Sequence, residues 1–273
     1  MTKVLVTGGG GFIGSNLVRG LLERGDDVRV LDNFSTGNRA NLADLDVDVV
    51  EGELRSYERV HNAVRGVETV YHLGALGSVP RSVQDPLTSS AVNIEGTLNV
   101  LLAARDEGIR RVVFSSSSSI YGISNPLPLK ESMPPDPISP YGVAKLAAER
   151  YCVSFSRVYE LETVVLRYFN VFGPHQDPSS QYAAVVPLFI SAIAAGEPIT
   201  IHGDGEQSRD FTFVGNCVDA TLAAADAANA SGRAFNVAGG RPASVNEVAD
   251  IIGSILGKPV ERRHMPSRSG DIR

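Results

Sequence analysis

Tyr141 and Lys145 stand four residues apart, and a run of five serines, Ser115 to Ser119, precedes them. On a helix this spacing puts the phenol and the ammonium on one face. A free tyrosine has a pKa of about 10, too high for a base at neutral pH. A fixed lysine cation one turn away is expected to stabilise the phenolate and lower that value. A serine hydroxyl can hold a substrate oxygen for proton transfer. A Tyr-Lys pair alone is ordinary helix surface. The serines change its meaning, because they end the apolar run Val112-Val113-Phe114 and would make poor core or helix.

A second constellation lies near the N-terminus, where Thr7-Gly8-Gly9-Gly10-Gly11-Phe12-Ile13-Gly14 follows the apolar run Val4-Leu5-Val6. It opens the helical pattern Phe12, Ile13, Leu17, Val18, Leu21, Leu22. In a strand–turn–helix setting, glycines at 8, 11 and 14 permit a tight turn, close approach to a pyrophosphate and close helix packing. Asp32 follows Gly14 by 18 residues at the end of the next strand-like run. A carboxylate there accepts hydrogen bonds from an adenine ribose and repels a 2′-phosphate, so NAD is favoured over NADP. Asp32 could also simply cap the turn formed by Asn33, Ser35 and Gly37. The two constellations together suggest redox chemistry with a nicotinamide dinucleotide.

The elements that must position these residues alternate. Strand-like runs fall at 3–7, 27–32, 47–52, 68–73, 110–116 and 162–168, with helical patterns at 12–24, 56–65, 86–107 and 139–160. Continuous β-branched runs suit strands buried on both faces. The expected fold class is α/β, a Rossmann-type doubly wound parallel sheet with a smaller irregular C-terminal substrate lobe. Residues 1–170 are expected to form the NAD-binding domain, with parts of 200–237 returning to it, and 171–273 the lobe. Within the lobe, helices are expected at 182–195, 215–229 and 244–256, and short strands near 199–202, 211–214, 234–237 and 259–264.

Bulk properties narrow the function classes. The 273 residues carry a formal charge of −6, which argues against a nucleic-acid surface. Cys152 and Cys217 have neither metal-ligand spacing nor a disulfide framework, so buried thiols in a reducing compartment are expected. No metal site is expected. With no leader-like segment and no long apolar span, a cytoplasmic protein without a membrane partner is expected.

Taken in order, these motifs resemble the extended short-chain dehydrogenase/reductase superfamily, and within it the nucleotide-sugar epimerase/dehydratase family. The resemblance also rests on His72-Leu73, Ile120-Tyr121-Gly122, Arg167-Tyr168-Phe169-Asn170 through Pro174, Gly203 through Phe211, and Arg268-Ser269-Gly270-Asp271. It implies that Tyr141 is the acid/base, that Lys145 also holds the nicotinamide ribose, and that Ser117 is the catalytic hydroxyl. For NAD it implies contacts from Gly8, Gly11, Phe12, Ile13, Gly14, Asp32, Asn33, Ser35, Thr36 and Gly37. Glu53, Leu54, Leu73, Ala75, Ser115 and Tyr168 complete that set, with Tyr168 packed near the nicotinamide. For a UDP-sugar it implies Ser78, Arg81 and Ser119 beside the sugar, and Asn170, Arg209 and Arg268 on the diphosphate. Ala184, Val185, Thr200 and His202 would surround the uridine, and Asp271 its ribose.

Relatives that dehydrate place Asp-Glu after the catalytic hydroxyl, where this chain has Ser118-Ser119. The resemblance therefore implies a 4-epimerase: hydride leaves sugar carbon 4 for NAD, the 4-keto sugar turns about its diphosphate, and hydride returns to the other face. UDP-glucose/UDP-galactose or their N-acetyl forms are the expected substrates. A UDP-glucuronate 4-epimerase, another nucleotide-sugar oxidoreductase and a noncatalytic NAD-binding regulator are the alternatives. A homodimer through helices 86–107 and 139–160 is expected by analogy. Relatives continue for several tens of residues past the position of Asp271, so the lobe is expected to be short at its C-terminus.

Overall fold

The computed structural model describes residues 2–178 and 184–266. The chain begins β1 (Lys3–Thr7), α1 (Phe12–Glu23), β2 (Asp27–Asp32), β3 (Asp48–Glu51), α2 (Tyr57–Val64) and β4 (Thr69–His72). Next come two short helices, α3 (Val79–Gln84) and α4 (Pro86–Ser90). A π-helical stretch (Ala91–Glu95) leads into α5 (Gly96–Asp106), β5 (Arg111–Ser117), α6 (Pro140–Val158) and β6 (Glu162–Tyr168). The remainder is β7 (Val171–Phe172), α7 (Val185–Ala195), β8 (Ile199–His202), β9 (Ser208–Asp210) and β10 (Thr212–Phe213). It ends with α8 (Val214–Asp226), β11 (Arg233–Val237), β12 (Pro242–Ser244), α9 (Val245–Leu256) and β13 (Arg262–Met265).

Seven strands form one parallel sheet in the order β11-β6-β5-β4-β1-β2-β3. The order reverses between β1 and β4, and open α/β sheets bind ligands at the carboxyl ends of the strands flanking such a switch. Alternation along each strand feeds two cores. Val4, Val6, Val28 and Val30 face Leu17, Val18 and Leu21 of α1 and Cys217 and Val218 of α8. Leu5, Leu31, Val70, Val112 and Phe114 face Val60, Val64, Leu101, Ala104, Ala148 and Cys152 of α2, α5 and α6. Each fully buried aliphatic side chain contributes roughly 1.5–3 kcal/mol. A third core, built on Phe189, Ile193, Ile199, Ile201, Val245, Val248 and Ile252, joins α7, β8 and α9. There β13 pairs with β8 and β12 with β9.

The helix expected over 86–107 runs without interruption from Pro86 to Asp106, with the π-helical stretch inside it, and a further helix, α3, precedes it. Ser78 and Asp85 cap two separate starts by accepting from the amides of Arg81 and Thr88. Pro80 and Pro86 occupy the first turns, where a missing amide costs nothing. The added helix matters because α3 runs beside the start of α6: the Tyr141 amide donates to the buried Ser82 Oγ at 3.1 Å.

Candidate active site

The glycine turn is determined by backbone. Gly8 has φ +73°, a left-handed conformation, and a Cβ there would stand 2.7 Å from the Gly74 main chain. At Gly14 a Cβ would meet the Gly8 carbonyl oxygen at 2.1 Å. Only glycine fits the crossing of β1, its turn and α1. The result is a helix N-terminus with no side chain across it, opening on a cleft of about 420 Å³. Such a terminus favours phosphate through its amides and dipole.

Asp32 ends β2 at the cleft wall, with both oxygens engaged. Oδ2 accepts from the Gly10 amide at 2.9 Å and Oδ1 from the Phe34 amide at 2.8 Å. The structure shows the turn-capping reading of Asp32, and a carboxylate with about four acceptor positions keeps two beyond the two amides. Asn33, Ser35, Thr36 and Gly37 follow along the same wall, as do Glu53 and Leu54 after β3 and Leu73 and Ala75 after β4. Glu53 is held by Arg55 Nη2 at 2.6 Å. Ser78, Arg81, Ser115, Tyr141 and Lys145 line the cleft as well. Main chain at the carboxyl ends of β1 and β4, a carboxylate on the wall and an open helix terminus fit a dinucleotide.

Beneath the cleft, His72 Nδ1 lies 2.7 Å from Thr7 Oγ1 and its Nε2 3.0 Å from Thr97 Oγ1. Burial, and then the Lys145 charge, push its pKa down to about 3, so it stays a neutral spacer between β1, β4 and α5. Lys145 is itself buried and donates to the Ser115 carbonyl at 2.7 Å. Burial brings its pKa down to about 8.

Tyr141 corrects an expectation. Its pKa is raised, because burial disfavours the phenolate, and the interaction that opposes the rise comes from the Ser117 side chain rather than from Lys145. The lysine shares the face but its ammonium is committed to the Ser115 carbonyl. Ser117 also accepts from the Ser119 amide and donates to Ser119 Oγ, both at 3.1 Å. Ser117, Ser119 and Tyr141 therefore form one hydroxyl cluster at the end of β5.

Tyr168 is a second correction. Its ring lies in the core shared with Cys217 of α8, and its hydroxyl sits 2.6 Å from Thr221 Oγ1. The side chain is absent from the cleft lining, because alternation along β6 sends residue 168 to the α8 face. The expected nucleotide-sugar residues are more scattered. Asn170, at φ +36°, donates to the Asp210 carbonyl at 3.0 Å, and Arg209 donates to the Ser208 carbonyl at 2.7 Å. His202 Nδ1 stands 3.1 Å from the Pro266 carbonyl. Ala184 and Thr200 are exposed and Val185 half-buried. None of these six lines the cofactor cleft. Arg268 and Asp271 lie outside the described residues. Sequence reasoning missed Gly74, Leu76, Gly77 and Arg55 on the cleft wall, and Ser82 and Glu149 around α6. Of these only Gly74, beside the His72-Leu73 motif, carried a signal. Among the described residues no group of three or more His, Cys, Asp or Glu is arranged to hold a metal ion, and no helix is long and apolar enough to cross a membrane.

Residues 4–238 match the model of the NAD dependent epimerase/dehydratase family. The chain belongs to this family. It is 38% identical to a UDP-glucose 4-epimerase of Mycolicibacterium smegmatis, over 99% of this chain and 88% of the relative. The structure of a UDP-N-acetylglucosamine 4-epimerase from Methanobrevibacter ruminantium, in complex with UDP-N-acetylmuramic acid, superposes with a TM-score of 0.94 at 40% identity. That match covers 99% of this chain and 87% of the other. The UDP-glucose 4-epimerase of Thermus thermophilus, in complex with NAD, gives a TM-score of 0.91 at 37% identity over 99% and 88% of the two chains.

Proposed function

We propose that this protein is an NAD-dependent UDP-sugar 4-epimerase acting on UDP-glucose and UDP-galactose or on their N-acetyl forms. The observation that carries the reading is that Tyr141 and Lys145 line one cleft suited to a dinucleotide, with the Ser117 side chain at the Tyr141 phenol. Bound in the cleft, NAD supplies reversible acceptance of hydride from sugar carbon 4. Tyr141 takes the proton from the 4-hydroxyl and later returns it. Ser117 holds the same oxygen and stabilises the phenolate. Lys145 provides the cation beside the ribose, and Asp32 holds the adenosine end.

The residues Ser118 and Ser119 supply no carboxylate for eliminating water, which favours epimerisation over dehydration. Lobe residues Asn170, Arg209, Thr200 and His202 are assigned to the UDP group. We assign a cytoplasmic location from the two buried free thiols. A homodimer through α5 and α6 is supported by Val143 and Tyr151, apolar residues exposed on α6. The test is incubation of the purified protein with UDP-glucose, UDP-galactose and their N-acetyl and uronate counterparts, followed by chromatography. Interconversion at carbon 4 without consumption of added NADH is expected. Steady consumption of NADH would indicate a reductase instead.

A further inference from the structure

Three consecutive serines at the end of β5 meet three positions of α6 spaced one turn apart. The Ser115 carbonyl accepts from Lys145, and the Ser117 side chain engages Tyr141. Between them, Ser116 Oγ donates to Glu149 Oε2 at 3.2 Å. Residues 141, 145 and 149 form a single stripe on α6. Two of the three contacts reach residues assigned to the chemistry. The third is fully buried: Ser116 is 3% and Glu149 1% exposed.

Glu149 is held from the other side by Arg167 of β6. Arg167 Nε donates to Oε2 at 3.0 Å and Nη2 donates to Oε1. Arg167 Nη1 donates to the Tyr121 hydroxyl at 2.6 Å, and that hydroxyl donates to Asn236 Oδ1 of β11 at 2.7 Å. The carboxylate is thus fixed by a forked cation rooted in the central sheet. A buried ion pair of this kind is weak evidence for stability, because desolvation offsets the attraction. It is strong in direction, however, since the planar fork allows one orientation.

We propose that Glu149, acting through Ser116, is a positioning residue that sets the register of α6 against β5 and so holds Tyr141 at Ser117. This rests on the reading of Tyr141 as the acid/base. The pair also withdraws a carboxylate that would otherwise stand one turn from Lys145. The ammonium is left to the Ser115 carbonyl and to the cleft.

The test uses the whole protein with Ser116→Ala. Arg167 still satisfies the carboxylate in this variant, so the fold is retained. Expected are a kcat about 10-fold lower and a KM for the UDP-sugar within about 2-fold. The titration of Tyr141 is expected to move to higher pH as its contact with Ser117 loosens. That titration is read by ultraviolet absorbance as the difference from the same protein carrying Tyr141→Phe, without substrate. The double variant Glu149→Leu/Arg167→Leu removes the contact without stranding a charge, and the same pattern is expected. An unchanged kcat, or an unmoved titration with kcat falling only in step with thermal stability, overturns the proposal. A wild-type protein that interconverts no UDP-sugar would sink the proposed function, while the titration would still decide the positioning role.

Discussion

The turn after β1 and the strands β8 to β10, to which we assign the two parts of the ligand, are built of different materials. The cofactor end is walled by main chain: at Gly8 and Gly14 a Cβ would run into backbone, and Asp32 is fixed by two amides. The assigned UDP end is made of side chains on short strands and loops, several of them exposed, with contacts to carbonyl oxygens. Backbone recognition cannot be adjusted without moving a strand, whereas side-chain recognition can change one residue at a time. A fixed cofactor beside an adjustable substrate end fits a protein that keeps its chemistry and varies its sugar.

The contrast can be broken in graded steps. Gly14→Ala forces a Cβ against the Gly8 carbonyl and is expected to abolish NAD binding, measured by calorimetry on whatever protein stays soluble. Tyr141→Phe should lower kcat by about 10³-fold while UDP affinity stays within about 2-fold. Equal loss of both would show that the phenol belongs to the binding surface. Lys145→Met sharpens the cofactor side. The lysine pKa lies near 8 in the folded protein against a usual 10.5, so between those values the unfolded chain binds more protons and stability rises with pH. The cost of the buried cation is therefore complete below pH 8. The variant should be more stable at pH 7, on the order of 2 kcal/mol, with the gain fading by pH 10.5 in denaturant titrations. Asp32→Asn should weaken NAD about 10-fold, since it costs a charge-assisted bond to ribose and loosens the Gly10 amide. Thr200→Ala, on the exposed face of β8, should change the KM for a UDP-sugar by less than about 3-fold. A larger effect would mean that the lobe is as rigid as the cofactor cleft.

The parallel sheet was legible because its strands are continuous apolar runs and its turns are glycine-rich. These are local signals that tertiary packing reinforces. Asp32, the glycines and the Tyr141–Lys145 face were legible for the same reason: each is a spacing within one or two elements. What stayed hidden depends on residues far apart in sequence. Tyr168 fell on the α8 face by strand alternation that a motif does not report. The raised Tyr141 pKa follows from depth of burial, which spacing cannot give. Helix α3 was not read, although Pro80 and the Asp85-Pro86 pair mark its start and that of the helix after it.

The seventh strand has a consequence for how the molecule can be divided. β11 and α8 come from chain that has already passed through β8 and β9, so the sheet's outer edge and one of its two covers are supplied last. Severing the polypeptide near residue 170 would strip Cys217, Val218 and Ala225 from Val18, Leu21 and Val164 and leave an oily plane facing water. The nucleotide half is therefore not a detachable module. Grafting a different lobe onto it means splicing at two points, on either side of α8 and β11, and a ribosome must deliver most of the chain before the first half can close.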